Sequence, residues 1–272
     1  MKKVRKAVLP VAGMGTRFMP ATKVVPKELL PIVDKPVIQY LVEEAVESGI
    51  EEIIFVISRD KELIRQHFSH HPELEELLRG RNKHDIADKI HPIHKLAKFT
   101  FVYQDEPLGD GHAILQAELA IGDEPFLVLF GDDIVKHSVP AAKQLLNQFK
   151  GEAVIAVEKV PKESISSYGI IAPGKQDGRL YRVTGMVEKP HPDKAPSDFG
   201  VIGKYVCPPA IFEAIRQGAA SKGGELRLID GLIKLSKTED IWAYHIEGVR
   251  FDTGKAAGLI AANNAYYEKK GS

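Results

Sequence analysis

Short, uninterrupted apolar runs alternate along this chain with stretches whose apolar residues recur at helical spacing. Ala7-Val8-Leu9-Pro10-Val11-Ala12 is the first run and reads as a buried strand. Pro36 opens a helix, where a missing N–H costs nothing. Ile38, Leu41, Val42, Ala45 and Val46 form its buried stripe and Gly49 ends it. Glu51 to Ser58 predicts the next strand, Lys61 to Phe68 a helix, and Pro72 to Leu96 a charged, histidine-dotted helical excursion on the surface. The alternation resumes with strands at Phe99–Tyr103, Phe126–Phe130 and Ala153–Val157, and helices at Gly111–Ala120 and Pro140–Phe149. Strands and helices alternating at this spacing imply parallel strands covered by helices on both faces.

From Tyr168 to Val206 the rhythm changes to short β segments broken by Gly and Pro, which predicts a smaller, mostly antiparallel part facing the first. Helices near Pro208–Arg216 and Glu225–Lys237, a strand near Trp242–Ile246 and a helix near Lys255–Glu268 follow. Without repeats or low-complexity linkers, the chain is expected to be one α/β domain. Residues 1–160 form one half, 161–254 a second, and 255–272 a closing helix.

Composition narrows the class. Lys+Arg and Asp+Glu both number 37, so no excess of cations points to a nucleic-acid partner. The single cysteine, Cys207, cannot form an internal disulfide, which fits a reducing compartment. The basic start, Met1 to Lys6, is followed by an apolar run too short for a signal peptide. No window approaches the ~18 apolar residues of a membrane span. A soluble cytoplasmic protein without membrane contact is the expectation.

The first strand runs into Gly13-x-Gly15-Thr16-Arg17, and glycines after a strand let backbone N–H groups approach an anion. By itself GxG carries little weight, since a plain turn would do as well. Phe18 stands where the dinucleotide fingerprint needs a small residue, and no acidic residue ends the second strand at the right distance. Gly169 to Gly174-Lys175 has P-loop spacing, but Gln176 replaces the Ser or Thr and the segment reads as strand. The first loop is lifted by its sequel. Arg17, Lys23 and Lys27 are held among Pro20 and Pro26 in a stiff segment, whose bland alternative is a solvated basic loop.

Residues Leu9 to Tyr40, with Gly13-Met-Gly-Thr-Arg17, Ala21-Thr-Lys23 and Pro26-Lys-Glu-Leu-Leu-Pro31, closely resemble the signature of bacterial UTP–glucose-1-phosphate uridylyltransferases. These enzymes, also called UDP-glucose pyrophosphorylases, belong to the sugar-1-phosphate nucleotidyltransferases, and the resemblance implies their Rossmann-like fold. Further landmarks follow in the family's order. They are Gln104 with Gly109-Asp-Gly-His-Ala113, Asp132 in Leu129-Phe-Gly-Asp-Asp133, Tyr168-Gly169, Val187-Glu-Lys-Pro190, Gly224 to Asp230, and Phe251-Asp-Thr-Gly254.

The resemblance implies attack by the phosphate of glucose 1-phosphate on the α-phosphorus of UTP, giving UDP-glucose and pyrophosphate. It assigns Ala12, Gly13, Gly15, Thr16, Arg17, Lys27, Glu28, Gln104 and Gly109 to the nucleotide, and Gly169, Glu188 and Lys189 to the sugar phosphate. Arg17, Lys27 and Lys189 would be catalytic, and Asp132 and Asp252 would bind Mg²⁺. A homo-oligomer, dimer or tetramer, is implied as well. The family's pattern is altered at Ser197-Asp198-Phe199-Gly200, at Lys204 and at Gly224-Glu-Leu-Arg227, all expected near the sugar pocket. Specificity for dTTP or another hexose 1-phosphate, or a weakly catalytic regulatory relative, therefore stays open at this point.

His70-His71 and His91-x-x-His94 read as surface histidines rather than a zinc site, because no cysteine stands near them. Asp133 is expected to face away from Asp132, as adjacent strand residues do. Cys207 reads as a small buried residue, and Trp242, Tyr266 and Tyr267 as packing or subunit contacts.

Overall fold

The computed structural model describes residues 2–218 and 224–267. Its strands are β1 (Lys6–Pro10), β2 (Pro31–Ile32), β3 (Lys35–Pro36), β4 (Glu52–Ile57), β5 (Lys98–Tyr103), β6 (Phe126–Leu129) and β7 (Asp133–Lys136). They continue with β8 (Ala153–Lys159), β9 (Gly169–Asp177), β10 (Leu180–Glu188), β11 (Phe199–Cys207), β12 (Ile241–His245) and β13 (Val249–Asp252). The α-helices are α1 (Val37–Glu47), α2 (Glu62–His67), α3 (Pro72–Gly80), α4 (His84–Ile90) and α5 (Asp110–Gln116). The remainder are α6 (Glu118–Ile121), α7 (Ala141–Leu146), α8 (Ala210–Gln217), α9 (Leu228–Leu235) and α10 (Ala256–Tyr267).

A nine-stranded sheet in the order β5-β4-β1-β6-β11-β8-β12-β10-β9 spans the molecule. The quartet β5-β4-β1-β6 is parallel, as is the pair β8–β12. Strand β11 runs antiparallel between β6 and β8 and joins these blocks. Along β4, Ile53, Phe55 and Ile57 enter one core with α1, α7 and α10, while Ile54 and Val56 enter the other with α5, α8 and α9. This two-residue alternation is why both sheet faces need helices, and the α/β class with helices on both faces stands.

Two details differ from the sequence reading. The expected short β segments at 168–206 are three nine-residue strands, and all of them belong to the main sheet. Pro173, Gly174 and Gly185 are absorbed where β9 and β10 shift register, so they bend the pair without ending it. The helix expected from Glu225 begins at Leu228, because Leu226 is drawn into an extended clamp. Its N–H donates to Leu108 O at 2.8 Å, and its carbonyl accepts from Gly111 N at 2.9 Å. A Cβ on Gly109, whose φ is +104°, would collide with that carbonyl. Beyond Tyr267, the end of the last expected helix lies outside the described residues.

Two further contacts position the cleft. Antiparallel β7 and β13 form a ribbon that the apolar pattern did not announce, with Asp252 opposite Asp133. Asp133 turns inward: it accepts from Gly203 N at 2.8 Å and pairs with Arg250 Nε at 2.5 Å, and Arg250 Nη1 also meets Glu158 at 2.5 Å. Asp110 caps the start of α9, accepting from Leu228 N at 2.7 Å.

Removing one partner of a buried pair strands the other, at a cost of about 3–5 kcal/mol. Asp133→Asn should therefore lose about 3 kcal/mol in urea unfolding, whereas Glu158→Gln, at the more exposed end, should lose under about 1 kcal/mol. Equal losses would contradict this placement. Desolvation raises the Asp110 carboxyl to about 6, with Glu188 adding to the effect and the Leu228 and Gly111 amides and Arg227 opposing it. An unfolded aspartate titrates near 4, so between about pH 4 and pH 6 the folded chain holds the extra proton and stability falls as pH rises. Asp110→Asn escapes this fall. Its stability relative to the unmutated chain should grow by about 1–2 kcal/mol from pH 4 to pH 7 in thermal unfolding, and a difference independent of pH would refute it.

Candidate active site

The parallel strands β1, β4, β5 and β6 end along one edge, and the loops leaving them build one wall of a cleft. Open α/β sheets bind ligands at this carboxyl edge, where neighbouring loops diverge. The loop after β1 carries Ala12 to Arg17. Gly15 has φ +66°, and a Cβ there would sit 3.3 Å from Lys27 Cβ, so glycine lets the loop fold against the lysine. Thr22 Oγ1 donates to Gly15 O at 2.7 Å and fastens the turn. Beneath it, Lys61 donates to Val11 O at 2.7 Å and to Glu28 at 2.8 Å, with both side chains buried. Glu28 thus borders the cleft with its carboxylate already engaged. Burial raises its pKa, and Lys61 and Lys27 pull against that rise.

Lys27 Nζ reaches Asp132 Oδ2 at 2.6 Å. Burial is the largest single influence and would lower the lysine's pKa, but Asp132 and Glu28 together outweigh it and the ammonium titrates above its usual value. Asp132 lies just before β7, and its carbonyl accepts from Thr253 N at 2.8 Å and Thr253 Oγ1 at 3.0 Å. These bonds dock the end of β13 against the end of β6 and bring Asp252 beside Asp132. A Cβ on Gly254 would stand 2.6 Å from Asp132 Oδ2 and 3.1 Å from Asp252 Oδ1, so both carboxylates converge on the space that glycine leaves. Lys255 Nζ balances Asp252 at 2.9 Å. The two acidic side chains offer hard oxygen donors side by side, the donor chemistry that Mg²⁺ takes.

Opposite this wall, β10 ends at Glu188 and Lys189 follows it. Lys189 has φ +47°, a left-handed conformation costing about 1–3 kcal/mol in a non-glycine residue. Its N–H donates to Tyr168 O at 3.0 Å, and its Nζ lies 3.3 Å from Glu188 Oε1. Arg227 Nη1 approaches the same oxygen at 3.7 Å. Gly169, at the start of β9, faces Glu188; a Cβ there would lie 3.2 Å from Glu188 Oε2.

All the candidate residues line adjoining cavities that share Arg17 and Asp132. Ala12, Gly13, Lys27, Glu28, Gln104 and Gly109 border one of about 500 Å³. Gly15 and Thr16 border a second, Gly169, Glu188 and Lys189 a third, and Asp252 shares a fourth with Lys189. Among the described residues no side chain pairs with Arg17, which leaves its guanidinium open to an anion.

Gln104 is more constrained than its residue type suggests. Its Nε2 donates to Gly109 O at 2.9 Å and lies 3.0 Å from His112 Nδ1, so the amide nitrogen is held on the protein side and the carbonyl oxygen is the group left for a ligand. The altered positions near β11 also prove not to line the cleft. Val201, Gly203 and Tyr205 face it, while Lys204, one residue out of phase, is fully buried on the other side and pairs with Glu44 at 2.8 Å. Ser197 Oγ is turned onto Ile171 O at 2.6 Å. Sequence reasoning missed Arg250, Lys255 and Asp110. The first two flank the Phe251-Asp-Thr-Gly254 landmark, which was their available signal; burial of Asp110 had none. Cys207 is fully buried, which pushes its thiol pKa up and makes it inert. The P-loop look-alike lies inside β9.

The family profile for nucleotidyl transferases matches residues 6–269. The UTP–glucose-1-phosphate uridylyltransferase of Bacillus subtilis (strain 168) is 47% identical over 262 residues, which cover 96% of this chain and 90% of that protein. The enzyme of the same name from Staphylococcus epidermidis is 43% identical over 268 residues, 98% of this chain and 93% of that one. Among solved structures, apo-UDP-glucose pyrophosphorylase superposes with a TM-score of 0.92 at 40% identity, covering 98% of this chain and 99% of that one. The UTP-bound UGPase from Acinetobacter baumannii gives a TM-score of 0.88 at 36% identity, covering 97% and 93%. No helix among the described residues is long and apolar enough to cross a membrane. The chain therefore belongs to the nucleotidyl transferase family, within its bacterial UTP–glucose-1-phosphate uridylyltransferase group.

Proposed function

We propose that this chain transfers the uridylyl group of UTP to α-D-glucose 1-phosphate, releasing pyrophosphate and forming UDP-glucose. One observation carries the reading: Arg17, Lys189 and the Asp132–Asp252 pair, from distant parts of the sequence, border a single cavity of about 330 Å³. Two polyanions must meet there, so the catalyst's task is to offset charge and hold the reacting oxygen in line with the α-phosphorus. A phosphate monoester is already ionised near neutral pH and needs no protein nucleophile.

On this reading residues 1–160 hold the nucleotide and 161–254 the sugar phosphate. The Gly13 and Gly15 amides and Arg17 bind the β- and γ-phosphates, and Lys27 approaches the α-phosphate. Lys189 holds the incoming phosphate, and Glu188 accepts from hexose hydroxyls. Gln104 Oε1 accepts the single imide N–H of uracil, since its amide nitrogen is held by Gly109 O on the protein side. Asp132 and Asp252 would hold Mg²⁺, whose chemistry at this place is to offset the charge of both phosphate groups. Lys27 and Lys255 balance the two carboxylates beforehand, so loop and ribbon are preorganised.

Removing one well-placed electrostatic contact of this kind costs about 10²–10³ in turnover. Lys189→Ala and Asp132→Asn should each lose turnover on that scale with unchanged circular dichroism, and near-native rates in either would refute the assignment. Pyrophosphate release measured across four nucleoside triphosphates and several hexose 1-phosphates, with and without Mg²⁺, should be fastest with UTP, glucose 1-phosphate and Mg²⁺. A clear preference for dTTP or another hexose would move the chain to a neighbouring specificity. Tight nucleotide-sugar binding without pyrophosphate from any pair would leave a regulatory relative.

A further inference from the structure

Outside the cleft, the surface excursion gathers side chains that the sequence scattered. His70 follows α2, Glu75 lies in the first turns of α3, and His91 and His94 sit beyond α4. One ligand atom each from His70, Glu75 and His94 lie within 4.8 Å of one another. His70 Nε2 is 3.2 Å from Glu75 Oε1. The His70 and His94 rings stack face to face with centroids 4.3 Å apart and planes 26° off parallel, so the two imidazoles are already held together.

The arrangement around His91 is the independent observation. Lys95 Nζ lies 2.9 Å from His91 Nε2, and an ammonium can only donate, so that nitrogen accepts. The ring proton is therefore on Nδ1, which donates to Glu75 Oε2 at 2.7 Å. His91 thereby fixes the carboxylate and leaves Oε1 turned toward His70. A histidine that orients a carboxylate through its outer oxygen supplies the kind of supporting contact that metal ligands carry.

We propose that His70, Glu75 and His94 form a binding site for a divalent transition cation of the Zn²⁺ class, with His91 as the residue that positions Glu75. Two imidazoles and one carboxylate suit Zn²⁺, Co²⁺ or Ni²⁺, whereas Mg²⁺ prefers all-oxygen surroundings. Three protein ligands leave a fourth position to water. One ligand precedes α3, one lies on it and one follows α4, so the cation would cross-link an excursion whose helices bury little: Leu74, Leu77 and Ile86 are all exposed. Its role is to brace this part of the chain, independent of the carboxylate pair in the cleft.

The test uses the full chain, stripped with EDTA and exchanged into excess Mg²⁺, then titrated with ZnCl₂ against a chromophoric indicator. One equivalent of Zn²⁺ per chain should bind and raise the melting temperature. His70→Ala and His94→Ala should each weaken Zn²⁺ binding by more than about tenfold and abolish that rise, and His91→Ala should weaken it by about tenfold. Asp252→Asn should keep the equivalent, which separates this site from the cleft. Melting without Zn²⁺ and pyrophosphate release in Mg²⁺ should be unchanged in His94→Ala. If no Zn²⁺ is retained in excess Mg²⁺, or if His70→Ala and His94→Ala bind it as tightly as the unmutated chain, the proposal is wrong.

Discussion

The ion pair between Lys27 and Asp132 ties the loop after β1 to the end of β6, and the cleft depends on that tie. Each partner is a half-buried charge that would be costly to leave alone, so neither segment can withdraw without exposing the other to that cost. The same logic repeats one step outward. Asp252 is balanced by Lys255, and Asp133, directly opposite it on the ribbon, is balanced by Arg250. Three acidic side chains crowd one corner of the molecule, and each has its own cation. A site meant to hold phosphates must keep basic groups from binding too firmly to the protein's own acids; Arg17, unpaired among the described residues, and Lys189, exposed and held only by Glu188 at 3.3 Å, supply that positive charge at the cleft's rim.

Period-two geometry of the sheet explains which side chains reach the cleft. Along β11, Val201, Gly203 and Tyr205 face the cleft, whereas Ile202 and Lys204 enter the opposite core. The departure at Lys204 thus alters an internal pair with Glu44 and leaves the cleft lining untouched. The clamp between Leu108–Gly111 and Leu226–Leu228 acts similarly, joining the cleft wall that follows β5 to the start of α9 through backbone bonds and the Asp110 cap. Such bonds can be made by almost any residue except where backbones touch, and there Gly109 is required.

The amino-acid sequence by itself determined the alternation of strands and helices, the fully apolar strands with helices on both faces, and the glycine loop with its cations. These are local properties: the period of burial and the chemistry of a turn are written in neighbouring residues. It also carried the family landmarks in order, which named the cleft residues without bringing any two together. Only tertiary structure decided that Asp132 and Asp252, 120 positions apart, converge at Gly254, that Asp133 turns inward to Arg250, and that Gln104 is held by Gly109 O. It likewise continued residues 169–207 into the main sheet and gathered His70, Glu75 and His94 on one surface. The physical reason is common to these cases. Electrostatic and hydrogen-bonding partners are chosen by distance in space, and no short-range pattern encodes which distant segment a strand end will meet.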